Sequence, residues 1–194
     1  MAKYLEHVDI EKISECRKLI MSLRKPIFLE LGIDILDTDA LSATAIYEIV
    51  RVYDNNYNIN FSRNGEDAKS LDIKIEQKAT RVLGPKTKTN KDRTGYGKDA
   101  SFTFHAHGDI EHDRFVFATL IKETLDVDRL YDIGKPHNVQ KVVNYLLEER
   151  RKYDERCALD PRHKKRDTIV LPEVLLQEFE LTKSTINGCK VYRD

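Results

Sequence analysis

Close cysteine pairs, long apolar runs, a surplus of either charge and low-complexity tracts are all missing from this chain. Each absence removes a class of protein. Cys16, Cys157 and Cys189 are odd in number and far apart, which argues against a disulfide framework and against the closely spaced ligands of a zinc site. They read as reduced and structural. No apolar run approaches the roughly 20 residues of a membrane-spanning helix. The opening "MAKYLEHVDIEKISEC" carries charges every few positions, unlike the apolar segment of a secretory signal. A cytoplasmic protein with no membrane partner is expected. Lys and Arg number 33 and Asp and Glu 33, so net charge gives no pointer to nucleic acid. What remains is a 194-residue chain, 40% hydrophobic and 34% charged, long enough for a single well-buried domain over 1–194.

The charges are unevenly spread. From Arg81 to Lys98, in "RVLGPKTKTNKDRTGYGK", stand Arg81, Lys86, Lys88, Lys91, Arg93 and Lys98 against one acid, Asp92. The interleaved Gly, Pro and Thr make this a cationic loop. From Pro26 to Val50 the balance reverses, with Glu30, Asp34, Asp37, Asp39 and Glu48 and no Lys or Arg. A second basic cluster, "RHKKR", covers Arg162 to Arg166.

Periodicity supplies the elements. Val8, Ile13, Cys16, Leu19, Ile20 and Leu23 recur at helical spacing and predict an amphipathic helix over 8–24, broken near Pro26. Thr38 can cap a second helix to about Val52, with Leu41, Ala45, Ile49 and Val52 on one side. "NYNINFS" reads as a short strand, Asn64-Gly65 as a hairpin turn, and "SLDIKIEQKAT" as the return strand. "RFVFATLI" and "TLDVDRLYDI" are strand-like runs on either side of Lys122-Glu123. Pro136 opens a long helix to about Arg156, and short elements finish the chain. The order suits an α/β (α+β) fold, a mixed β-sheet flanked by helices.

The return strand raises the chemical question. Leu71, Ile73 and Ile75 supply an apolar face, while Asp72, Lys74, Glu76 and Lys78 alternate on the other. Asp67, just past the turn, is near enough to join Glu76 and Lys78. Two carboxylates so placed can hold Mg²⁺, which prefers oxygen ligands and keeps waters for chemistry. An adjacent ammonium can orient the attacking water and offset charge on a phosphoryl transition state. The bland alternative is a solvated charged strand. An acid two residues before a lysine also occurs at Asp67-Lys69 and Asp72-Lys74.

These residues resemble the PD-(D/E)xK nucleases, and within them the PvuII-like type II restriction endonucleases. "NGEDAKSLDIKIEQKA" is similar to the catalytic hairpin, with Asp67, Glu76 and Lys78 on the motif's Asp, Glu and Lys; Glu66 stands where the pattern has proline. "LGIDILDTDALSATAIYEIV" is similar to an early helix and acidic recognition segment, and "SFTFHAH" to a histidine-rich DNA-reading segment. "RFVFATLIKETLDVDRLYDI" and "TIVLPEVLL…CKVY" also have counterparts. The resemblance implies a homodimer on double-stranded DNA that reads a short palindrome and cuts both strands by Mg²⁺-dependent hydrolysis, leaving 5′-phosphates. It implies a helical dimerisation and recognition part over 1–55 and a catalytic, DNA-binding part over 56–194. By that analogy Asp67 and Glu76 bind the metal and Lys78 activates the water.

Other residues fit a DNA interface less specifically. His105 and His107 share a face if their stretch is extended, and can contact bases or phosphates. Packed or surface histidines, or a two-His metal site, are their other readings. Asp34 can accept from base amino groups or be a loop acid. Lys86, Lys88, Lys91 and Arg93 would neutralise phosphates. "RHKKR" is another candidate phosphate contact. Two rivals share these residues: a structure-selective repair or junction nuclease of the same fold, and a non-catalytic DNA-binding protein.

Overall fold

The computed structural model describes residues 7–31, 39–60, 67–82, 100–121, 124–160 and 167–194. Two helices, α1 (His7–Leu31) and α2 (Asp39–Val50), precede a meander of β1 (Tyr57–Ile59), β2 (Ala68–Ser70) and β3 (Ile73–Val82). Strand β4 (Ser101–His105) follows, then β5 (Arg114–Ile121), β6 (Val127–Ile133) and helix α3 (Pro136–Leu159). Strand β7 (Thr168–Pro172), the short helix α4 (Glu173–Gln177), β8 (Thr182–Ile186) and β9 (Cys189–Arg193) complete the order. Seven strands form one mixed sheet in the order β1-β2-β3-β5-β6-β9-β8, while β4 and β7 pair separately. The α+β class and the mixed sheet flanked by helices are as the sequence predicts. Among the described residues no helix is long and apolar enough to cross a membrane.

Strand β5 is the axis of the molecule. It runs parallel to β3 and antiparallel to β6. Its side chains alternate between two separate cores, because successive residues of a strand point to opposite faces. Val116, Ala118 and Leu120 join α1, α2 and the meander through Ile10, Ile46, Val50, Tyr57 and Ile75. Phe115 and Phe117 face the other way, to Phe102 and Phe104 of β4, Ile169 and Leu171 of β7, and Val142 and Leu146 of α3.

Three sequence expectations need correction. Helix α1 continues past Pro26 to Leu31; a proline removes one hydrogen bond, and the helix is not ended by it here. Its buried face is Ile10, Ser14, Arg17 and Met21, whereas Leu19 and Leu23 are exposed. The apolar count missed that face because Arg17 is buried as an ion pair with Glu48 of α2, which also accepts from Ser14 Oγ. The stretch 70–80 is not one return strand. Strand β2 is the return strand, and Leu71-Asp72 make a second tight turn, with Leu71 at φ 54°. Leu71 and Ile73 are accordingly 69% and 42% exposed, and only Ile75 of that trio is buried. Asp72 sits in the turn and Lys74 on the surface, so neither joins Glu76. Helix α2 ends at Val50, and Val52 lies exposed in the turn beyond it. Thr38, Asn64-Gly65 and Lys122-Glu123 lie outside the described residues.

Two polar clusters lock the layers. Arg114, the first residue of β5, donates to Asp132 of β6 through Nε at 2.6 Å and Nη2 at 2.5 Å, and through Nη1 to Asp54 at 2.5 Å. Tyr53 Oη donates to Asp132 at 2.7 Å and Ser70 Oγ to Asp54 at 2.9 Å. Glu173, wholly buried, accepts from Arg129, Tyr131 Oη and the Ala100 amide, tying α4 to β6 and to the approach of β4. Helix α3 has no cap from its own Lys135 side chain. Asp194 serves instead, accepting from the Gly134 and Lys135 amides at 2.8 and 2.9 Å and from Asn138 Nδ2 at 2.7 Å.

Arg114→Ala strands two partly buried carboxylates and lowers folding free energy by roughly 3–5 kcal/mol, as for other broken buried pairs; urea denaturation measures it. Asp194→Ala costs about 1 kcal/mol, the usual worth of a helix cap. Burial opposes the Asp194 charge, but Asn138 and the two amides outweigh it, so its folded pKa lies below the ordinary 3.8. A depressed carboxylate stabilises above its unfolded pKa, and that contribution disappears as pH falls through the folded pKa. The gap between wild type and Asp194→Ala is therefore full at pH 5 and shrinks below about pH 3.8.

Candidate active site on the central meander

The meander exists to bend a chain back onto β3. Asn60 N donates to Asp67 O at 2.8 Å, closing the first hairpin and setting Asp67 beside the middle of β3. The Asp67 carboxylate then accepts from the Gln77 amide at 3.0 Å. Gln77 is fixed in turn by Tyr57 Oη of β1, which donates to Gln77 Oε1. Glu76 and Lys78 flank Gln77 and point to the opposite face from Ile75.

Asp67, Glu76 and Lys78 meet. Lys78 Nζ lies 3.3 Å from Asp67 Oδ2 and is paired closely with Glu76 Oε1. It also sits 5.5 Å from the centroid of the Phe104 ring, a cation–π distance. The Glu76 side chain is 10% exposed and that of Asp67 40%. The site is thus closed at Glu76 and open to solvent at Asp67.

The electrostatics follow from that gradient. Burial is the largest influence on Glu76 and raises its pKa; Lys78 opposes it, Asp67 adds to it, and His112 opposes it weakly. For Lys78, burial works against the charge, but Glu76 and Asp67 prevail and hold its pKa above the usual lysine value. The ammonium is therefore the resident counter-ion of two carboxylates. Among the described residues no group of three His, Cys, Asp or Glu side chains is placed to hold a metal ion. A donor set of two carboxylates suits Mg²⁺, which completes its shell with water and phosphate oxygens, and does not suit a structural zinc.

His112 is the group that sequence reasoning missed. Its side chain is 4% exposed, with Nε2 3.3 Å from Glu76 Oε2. Its only sequence signal is position, two residues ahead of β5, whose Phe115 pairs with Glu76. The predicted histidines do not gather at the carboxylates. Strand β4 ends at His105, which is exposed, while Ala106 and His107 form a turn, so the expected shared face is absent. His107 approaches α3, with Nε2 3.7 Å from Asp154 and its ring edge-on to Tyr153. Asp34, Lys86, Lys88, Lys91, Arg93 and the cluster 162–166 lie outside the described residues.

Comparison of the chain with models of known protein families, with curated proteins and with solved structures finds no match.

A carboxylate whose pKa is raised in the folded state opposes folding at pH values above its unfolded pKa. Glu76→Gln, which keeps the shape, removes that penalty but also one of the two carboxylates that support the Lys78 charge, so urea-denaturation stability at pH 7 is expected to stay within about 1 kcal/mol of wild type. A loss above about 1 kcal/mol, the worth of an ordinary hydrogen bond, would mark Glu76 as a structural ion.

Proposed function

We propose that the chain is a type II restriction endonuclease with a PD-(D/E)xK core, a homodimer hydrolysing both strands of double-stranded DNA at a short site with Mg²⁺. The observation that carries the reading is the meeting of Asp67, Glu76 and Lys78 on one sheet face, in the order and strand setting of that family's motif. The fully buried Ile75 behind the site and the solvent gradient from Glu76 to Asp67 support it. So does the basic composition of the segment from Arg81 to Lys98, which begins in the last two residues of β3.

In this reading Asp67 and Glu76 would hold the cation. Bound there, Mg²⁺ supplies Lewis-acid polarisation of the scissile phosphate and of a water. Lys78 donates hydrogen bonds that orient the attacking water and offsets the charge that develops on the phosphate oxygens. Phe104 walls the ammonium from one side, so its hydrogen bonds are directed toward the carboxylates and the open mouth. The lysines and arginines of 86–93 neutralise backbone phosphates, giving affinity that falls with salt. His105, exposed at the end of β4, is retained as the reader candidate, since His107 is engaged with α3.

Purified protein incubated with a fully sequenced phage DNA is expected to give discrete fragments with Mg²⁺ and intact DNA without it. Uncut DNA with a salt-sensitive mobility shift under both conditions would replace the nuclease by a binding protein, and nicks confined to branched substrates by a junction nuclease. Lys78→Ala should cut at least 100-fold more slowly, the scale of losing one positioned electrostatic group, while DNA affinity stays within about twofold. Asp67→Asn should be inactive and Asp72→Asn, in the turn, near normal; the reverse ranking would mean that the wrong acid has been assigned.

A further inference from the structure

His112 is buried beside the candidate site in an arrangement that packing alone does not require. Its Nε2 lies 3.3 Å from Glu76 Oε2, and its Nδ1 is buried with no hydrogen-bond partner among the described residues. An interior site needing only volume would be filled at lower cost by an apolar side chain, because a buried ring nitrogen without a partner loses its hydration. The ring stands edge-on to Phe115, 5.9 Å between centroids, so its plane is set by the aromatic core.

Its backbone is fixed with equal care. Asp113 N donates to Lys74 O at 3.1 Å, and Lys74 N donates back to Asp113 Oδ2 at 2.9 Å. The next residue is Arg114, held by Asp54 and Asp132. A side chain anchored at both following residues has little freedom to drift from Glu76. The two oxygens of Glu76 are thus divided: Oε1 pairs with Lys78, which Asp67 also contacts, and Oε2 faces His112.

We propose that His112 is a positioning residue for Glu76, holding Oε2 so that Oε1 is presented beside Asp67 to a divalent cation. The inference rests on the nuclease reading for the identity of the cation, and adds a residue outside the Asp, Glu and Lys of the motif. His112 acts through Glu76, its own side chain being 4% exposed. Outer contacts of this kind to a metal-binding carboxylate are worth roughly 10- to 100-fold in metal affinity or activity. His112→Ala removes the contact. His112→Gln retains an amide nitrogen near the position of Nε2.

The test is calorimetric titration of the DNA-free protein with Mg²⁺ alone, beside the Mg²⁺ dependence of phage DNA cleavage and a urea-denaturation curve for each variant. Expected is a 10- to 100-fold weaker Mg²⁺ affinity in His112→Ala, a matching rise in the Mg²⁺ needed for half-maximal cleavage, and substantial recovery of both in His112→Gln. Unchanged Mg²⁺ affinity in His112→Ala would overturn the inference and leave the nuclease reading intact. Equal losses in both variants, tracking lowered unfolding midpoints, would overturn it in favour of a packing role. A wild-type protein that neither binds Mg²⁺ nor cleaves DNA would overturn the nuclease reading itself, and the inference with it.

Discussion

The guanidinium of Arg114 is the constraint on which the rest of the structure depends. It gathers Asp54 from the turn after α2 and Asp132 from β6, and through them Ser70 of β2 and Tyr53. Burial works against its charge, yet the two carboxylates hold its pKa above the usual arginine value. A buried cation with two anions is expensive to desolvate and useful for register, because no shifted pairing satisfies all of its planar donors. One residue earlier, Asp113 clips the start of β3; one earlier still, His112 meets Glu76. Three consecutive residues thus fix β5 to α2, β2, β3 and β6, and the candidate site is assembled where those fastenings converge.

That location follows from the two-sided burial of β5. A strand covered on both faces has nearly continuous apolar character, and "RFVFATLI" has it, with Phe115 and Phe117 for one core and Val116, Ala118 and Leu120 for the other. Strand β3 pairs alongside and is covered less evenly: Ile75 is sealed under α2, while Glu76 and Lys78 lie at the margin of the aromatic core. Phe104, arriving from the separate β4–β7 pair, closes that margin beside Lys78. A polar group here is screened from water on one side and open on the other, a setting in which a fixed charge acts more strongly on a neighbour than it does in water.

Much of this was legible in the sequence, for identifiable reasons. The strands 114–121 and 127–133 and the helix from Pro136 announce themselves by apolar runs, helical spacing and a proline at the first turn. Asp67, Glu76 and Lys78 could be grouped because the pairing is local, a hairpin away. What failed was non-local or contrary to type. Arg17 faces inward only because Glu48, 31 residues on, receives it. Leu71 adopts a left-handed turn that its residue type disfavours. His112 gains its place through parallel pairing of β5 with β3, across a segment whose length hides the register. His107 is drawn away by α3, which the strand-like pattern of "SFTFHAH" could not reveal.

The charge balance of the site gives the arrangement its logic. Asp67 and Glu76 bring two negative charges and Lys78 one positive, so the cluster is left one charge short of neutrality when both acids are ionised. Burial resists that deficit most at Glu76, where the raised pKa expresses it. A divalent cation entering from the Asp67 side would neutralise both carboxylates by itself and free the Lys78 ammonium to turn toward a phosphate. Under the proposed activity the same lysine therefore has two duties: a counter-ion to the two carboxylates, and a donor to the reacting group once the carboxylates are otherwise engaged. Asp113 and the Arg114 cluster, wholly outside that exchange, hold the start of β5 to β3, β6 and the turn after α2. Stability and chemistry are thus divided between adjacent residues of one short segment, with His112 turned to the site and Arg114 to the frame.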